Sequence, residues 1–123
     1  MTVADTDVLI DYLSGQGEAD AVEQLIRRGA LVTTVISRFE LLAGARNAKQ
    51  LARIVQLLGA VPSLNLDEAA ADAAGHIQRS LEQSGKAIGM ADSLIAGIVL
   101  SNGGILMTRN RRHFERVPGL RFA

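Results

Sequence analysis

Residues Val3–Leu13 change periodicity across a single aspartate. Val3-Ala4 is a short apolar stretch of the kind that forms a buried strand, and Val8, Leu9, Tyr12 and Leu13 then recur with helical spacing. Asp5 falls where the strand stops. A strand that hands over to a helix through a carboxylate builds the carboxyl edge of an α/β sheet, which is where such folds collect their ligands. Asp5 or Asp7 also suits the N-cap of that helix, although a cap needs only one of them.

The same alternation continues along the chain. Ala21, Val22, Leu25 and Ile26 form an apolar helical stripe closed by Gly29, a residue type favoured just past a helix end. Leu31–Ile36 is β-branched and reads as a second buried strand. A helix is expected to begin at Ser37, and another to carry Leu51, Ile54, Val55 and Leu58 and to end at Gly59. A third strand falls within Ala60–Leu66, where Pro62 favours an edge position. Asp67 caps a long Ala-rich helix ending near Gln83, and Met90–Ser101 is apolar around most of its circumference, so it belongs in the core. Ile105–Thr108 is a fourth strand, Arg109–Phe114 starts a last helix, and Leu120–Phe122 supplies a final edge strand. This order predicts an α/β fold in three layers. A mostly parallel central sheet of four to five strands is flanked by helices on both faces, in one domain spanning residues 1–123.

Composition narrows the chemistry. The chain has no cysteine and only two histidines, His76 and His113, which excludes thiolate sites and argues against a His-rich zinc centre. The formal net charge is zero, so a polyanionic ligand has to be held by a local patch and not by the overall field. The apolar runs fall short of the ~18 residues that a membrane helix requires, and no signal peptide precedes Asp5; the expected compartment is the cytoplasm.

The predicted strand ends gather polar residues. Asp5 and Asp7 follow the first strand, Glu40 the second and Asn110 the fourth, while Asp92 comes from the opening turn of the buried helix. Each has a purely structural explanation. Ser37-Arg38-Phe39-Glu40 matches a capping box, in which Glu40 reaches back to the Ser37 amide. Asp92 suits a helix N-terminus and Asn110 suits a cap. Together they ask for more, because Asp92 lies on a helix with little polar surface and several carboxylates at one place repel one another. A divalent cation resolves both problems. Oxygen ligands without His or Cys select Mg²⁺ or Mn²⁺. Arg109, Arg111, Arg112 and Arg116 cluster beside Asn110, as a local basic patch for nucleic acid or as a solvated face.

Four segments, Val3–Ile10, Thr34–Gly44, Ala91–Ala96 and Leu106–Phe114, resemble in order and spacing the motifs of PIN-domain ribonucleases, and the short chain resembles the VapC-type toxins of toxin–antitoxin pairs. The resemblance implies a metal-dependent endoribonuclease with Asp5, Glu40 and Asp92 as its acidic residues and Mg²⁺ or Mn²⁺ held by them. It places Asn110 at a fourth position where many members carry Asp. Thr6, Asp7 and Thr108 would support the site, and the four arginines would contact RNA. A VapB-type antitoxin and a homodimer are the implied partners. Three other functions compete. Asp5-Thr6-Asp7 matches the opening of haloacid-dehalogenase-type phosphotransferases, which also need a lysine and a downstream acidic pair; only Lys49 and Lys86 are available, neither after a strand. A receiver-type phosphoacceptor needs a lysine closing a fifth strand, which is absent. A catalytically weak RNA- or protein-binding domain is the non-enzymatic alternative, which Asn110 keeps open.

Overall fold

The computed structural model describes all residues, Met1–Ala123. Five strands, β1 (Thr2–Ala4), β2 (Leu31–Thr34), β3 (Ser63–Leu64), β4 (Ile105–Met107) and β5 (Arg121–Phe122), form one sheet in the order β3-β2-β1-β4-β5. Every pairing is parallel, with Val3 opposite both Val32 and Leu106. Seven helices make the connections: α1 (Thr6–Leu13), α2 (Ala19–Arg27), α3 (Val35–Ala43), α4 (Ala48–Ala60), α5 (Glu68–Gln83), α6 (Met90–Ser101) and α7 (Arg111–Phe114). The chain builds outward from β1 to β3 on one side, then returns to lay β4 against the other side of β1. The strand order therefore reverses between β1 and β4, and a crevice opens at their carboxyl ends.

Alternation along β1 splits the core in two, because successive side chains of a strand point to opposite faces. Val3 packs with Ile77, Leu81, Ile95, Val99, Leu106 and Phe114 in one cluster. Ala4 packs with Val8, Leu9, Val22, Leu31, Ile54 and Leu58 in the other. The helix α6 is buried as its composition requires, with Ser93, Ile95, Ala96, Gly97, Ile98 and Val99 all inaccessible. It lies so close to α5 that a Cβ on Gly97 would stand 2.7 Å from the Ala70 carbonyl oxygen and 2.7 Å from the Ala74 amide nitrogen.

Three expectations are corrected. The second strand stops at Thr34, and Val35 and Ile36 already belong to α3, because the Thr34 side chain accepts from the Ser37 amide and caps the helix there. The third strand shrinks to two residues at the sheet edge, just after Pro62. The helix α4 runs through Gly59 and ends at Ala60.

Candidate active site

Asp5 sits one residue beyond β1, as the N-cap of α1, and its Oδ1 accepts from the Thr6 amide over 2.8 Å. Its Oδ2 accepts from the Thr108 hydroxyl, also at 2.8 Å, and Thr108 follows β4 on the far side of the strand-order reversal. The Asn110 amide donates in turn to Thr108 Oγ1 over 3.0 Å. Asp5 thus caps α1 and at the same time bridges to Thr108 across the strand-order reversal. Each of its oxygens is fixed by a neutral donor, and neither is paired with a cation.

Glu40 arrives from α3. The expected capping box does not form, since α3 starts earlier and Thr34 provides its cap. Glu40 Oε1 instead accepts from the Thr6 hydroxyl at 2.7 Å, and Thr6 Oγ1 also lies 2.8 Å from Ser37 Oγ. A threonine has one hydroxyl hydrogen. With that hydrogen on Glu40, the fully buried Ser37 donates to Thr6, and a short hydroxyl chain ends on the carboxylate.

Asp92 occupies the first turn of α6. The sequence offers it no nearby basic residue apart from Lys86, but the fold supplies one. His113 Nε2 lies 3.0 Å from Asp92 Oδ2 and 3.0 Å from the Ile88 carbonyl. Both neighbours are acceptors, so Nε2 carries the hydrogen.

Asp5, Thr6, Asp7, Ile10, Glu40, Asp92 and Asn110 line one open cavity of about 280 Å³. Burial, above all, pushes the Asp5 carboxyl up to about 6; the Thr108 and Thr6 hydrogen bonds oppose the rise, and the charges of Asp7 and Asp92 add to it. Asp92 is raised by burial as well, with His113 pulling it back and Glu40 and Asp7 pushing it further up. The cavity thus concentrates negative charge. Its acids do not close into a cage of three ligating side chains.

The remaining candidates divide. Asn110 heads α7, but its side chain forms no cap hydrogen bond. Arg109 lies 3.8 Å from Asp7 and 3.4 Å from Asp11, so Asp7 is partly neutralised at the cavity rim. Arg111 is 3.3 Å from Glu115 and stands over the Phe122 ring, and Arg116 donates to the Ala87 carbonyl. Only Arg112 of the four makes no ion pair or side-chain hydrogen bond, and none of the four lines the cavity. The contribution of His113 and the Arg109–Asp11 pair had no local signal in the sequence. The pairing of Thr6 with Glu40 is foreshadowed only by both residues following adjacent strands.

An acidic cavity at the reversal point of a parallel sheet occurs in several families, so whole-chain likeness has to separate them. Residues 2–120 match the PIN domain family. The chain is a PIN-domain protein. Among PIN relatives, a tRNA(fMet)-specific endonuclease VapC of Shigella flexneri is 31% identical over 121 residues, covering 95% of this chain and 92% of the relative. A ribonuclease VapC1 of Haemophilus influenzae is 31% identical over 124 residues, covering 96% and 92%. The PIN fold also superimposes on a DNA-bound VapBC structure from Salmonella typhimurium with a TM-score of 0.84 at 27% identity, over 99% of this chain and 96% of that one.

Proposed function

We propose that this PIN domain is a divalent-metal-dependent endoribonuclease of the VapC type, the toxin of a toxin–antitoxin pair, which hydrolyses RNA phosphodiester bonds at the acidic cavity. One observation carries the reading: carboxylates from three separate elements line a single cavity, and the deepest of them, Asp5, is held there by neutral donors alone. The donor set fits Mg²⁺ or Mn²⁺. It consists of oxygens, and the one nearby imidazole is turned to Asp92 and Ile88. An open arrangement also suits Mg²⁺, which keeps several waters and completes its shell with substrate phosphate.

Asp5, Asp92 and Glu40 would hold the ion. The chemistry that such an ion supplies is Lewis-acid charge, giving a more acidic water for in-line attack and relief of charge on the leaving oxygen. The chain's own groups orient that chemistry. Thr6 and Thr108 fix Glu40 and Asp5, and Asn110 offers a neutral amide to water or to phosphate. Arg109, paired with the cavity residue Asp7, would meet the RNA backbone, with Arg111 and Arg112 of α7 and Arg116 just beyond it extending the basic surface. Asp7, engaged by Arg109, supports the turn.

A groove of about 350 Å³ lined by Ile10, Leu13, Leu41 and Ile54 together with Arg46 and Arg53 adjoins the cavity and shares Ile10 and Glu40 with it. Its apolar floor suits a segment of a VapB-type antitoxin that would cover the acids. Phe39 and Met90, 69% and 68% exposed, suit contact between two copies of the chain. No helix is long and apolar enough to cross a membrane, and the cytoplasm is the compartment proposed for the activity.

The test is cleavage of RNA by pure protein, with Mg²⁺ or Mn²⁺ and with EDTA, in wild type and Asp5→Asn. The tRNA(fMet) named for the Shigella flexneri relative is the first substrate to try. Metal-dependent cleavage lost in Asp5→Asn supports the enzyme. RNA bound but left intact supports the binding-domain reading that Asn110 keeps open. A haloacid-dehalogenase-type reaction finds no lysine in the cavity.

A further inference from the structure

We propose that His113 is a positioning residue for Asp92, its imidazole N–H fixing one carboxylate oxygen so that the other is left for the cation. The inference rests on the metal reading above and adds to it a residue from outside the cavity. Three features of the structure support it.

His113 is itself firmly placed. Phe114, the next residue, is fully buried in the core cluster that includes Ile95 and Ala96 of α6. The His113 ring meets the Phe114 ring edge-on, with centroids 5.9 Å apart and planes at 88°. The short helix α7 therefore carries the imidazole to a fixed place beside α6.

His113 Nε2 hydrogen-bonds to the Ile88 carbonyl at 3.0 Å and stands 3.0 Å from Asp92 Oδ2. Ile88 precedes the turn that opens α6, and Asp92 lies in the first turn after it. A single N–H thus lies at the entry to the helix, bonded to the backbone there and within reach of the carboxylate that the helix presents. The second Asp92 oxygen accepts no hydrogen bond from the protein and stays available as a ligand. A carboxylate free to rotate would present either oxygen and lose conformational freedom on binding. Outer partners that orient a ligating group commonly contribute 10–100-fold to metal affinity, and an imidazole N–H on a carboxylate is such a partner.

A structural role alone, through Ile88, predicts something different. It would lower the stability of the metal-free protein and leave metal affinity in the folded protein unchanged. The experiment is isothermal titration of the full chain with Mn²⁺, in wild type, His113→Leu and His113→Gln, beside the melting temperature of each in EDTA. Glutamine carries an amide N–H near the position of Nε2, and leucine carries none.

His113→Leu is expected to weaken Mn²⁺ binding by about 10-fold or more, and His113→Gln to recover most of that loss. If leucine prevents folding, His113→Asn replaces it, since its amide is too short to reach Asp92. Mn²⁺ affinity unchanged in the donor-free variant, or equally poor in His113→Gln, overturns the assignment. A wild-type chain that binds no Mn²⁺ overturns the metal reading itself, and the two failures are thereby told apart.

Discussion

Thr108 donates to Asp5 Oδ2 over 2.8 Å although 103 residues separate the two in sequence. This bond favours the ionised carboxyl, because a hydroxyl donor stabilises charge on its acceptor. Thr108→Val keeps the shape and removes the donor. It should cost about 1–3 kcal/mol at pH 8, where Asp5 is ionised, and less at pH 5, where the folded Asp5 is largely protonated. Urea unfolding at both pH values is the measurement; an equal cost at the two would separate Thr108 from the charge on Asp5.

Asp5 should make the metal-free protein less stable as pH rises. Its folded pKa, about 6, lies above the ordinary 3.8 expected when unfolded, so the folded state holds the proton more tightly. The stabilisation is fully present below about 4 and is lost as pH climbs through 6, amounting to roughly 3 kcal/mol in all. Asp5→Asn retains an acceptor for the Thr6 amide and removes the titration. In EDTA, wild type and Asp5→Asn should diverge between pH 4 and 7, with the variant the more stable at pH 7. Parallel profiles would rule the buried carboxyl out as their source.

Glu40→Gln tests charge against shape. The cap of α3 belongs to Thr34, and a glutamine oxygen can still accept from Thr6, so stability should stay within about 1 kcal/mol of wild type. Nuclease activity should fall by orders of magnitude, since an amide is a poor ligand for a hard cation. Cleavage at the wild-type rate under limiting Mg²⁺ would remove Glu40 from the site.

Gly97→Ala should destabilise the protein by about 1–3 kcal/mol or more. The added methyl would meet the backbone of α5 at 2.7 Å, and backbone cannot rotate aside as a side chain does. A thermal melt suffices, and an unchanged midpoint would mean that the two helices part at little cost.

Arg109 and Arg112 should differ in how they touch RNA. Arg112→Ala removes a solvated charge, and should weaken binding modestly while lowering the salt slope by about one. Arg109→Ala also releases Asp7 and Asp11, so its effect should include a loss of stability in addition to weaker binding. RNA affinity unchanged in both at low salt would return these arginines to ordinary solvated charges.

The parallel sheet and the buried α6 were legible because they are periodic: Val3–Leu13 changes period at Asp5, and Leu94–Leu100 has no polar face. The start of α3 was harder to read. Val35 and Ile36 have strand propensity, and Ser37 with Glu40 mimics a capping box, yet Thr34 captures the Ser37 amide first. Tertiary context overrode a local pattern. Asp92 could be recognised as an acid on a core helix, where it is half-buried, but its partner could not be found, because His113 reaches it only through the packing of α7 on α6. The partners of the arginines were not legible either: Arg111 meets Glu115 and the Phe122 ring, and Arg116 donates to the Ala87 carbonyl.

The division of β1 between two cores bears on the order in which the cavity is assembled during folding. Asp5 and Glu40 ride on helices packed against the Ala4 face, whereas Asp92 rides on a helix packed against the Val3 face. Thr108 and His113, which fix an acid on each side, follow β4, and β4 reaches its slot beside β1 only by closing a loop that spans most of the chain. Closing that long loop is slow compared with forming the helices. The contacts that fix Asp5 and Asp92 therefore form late in folding, after the helices that carry the two acids.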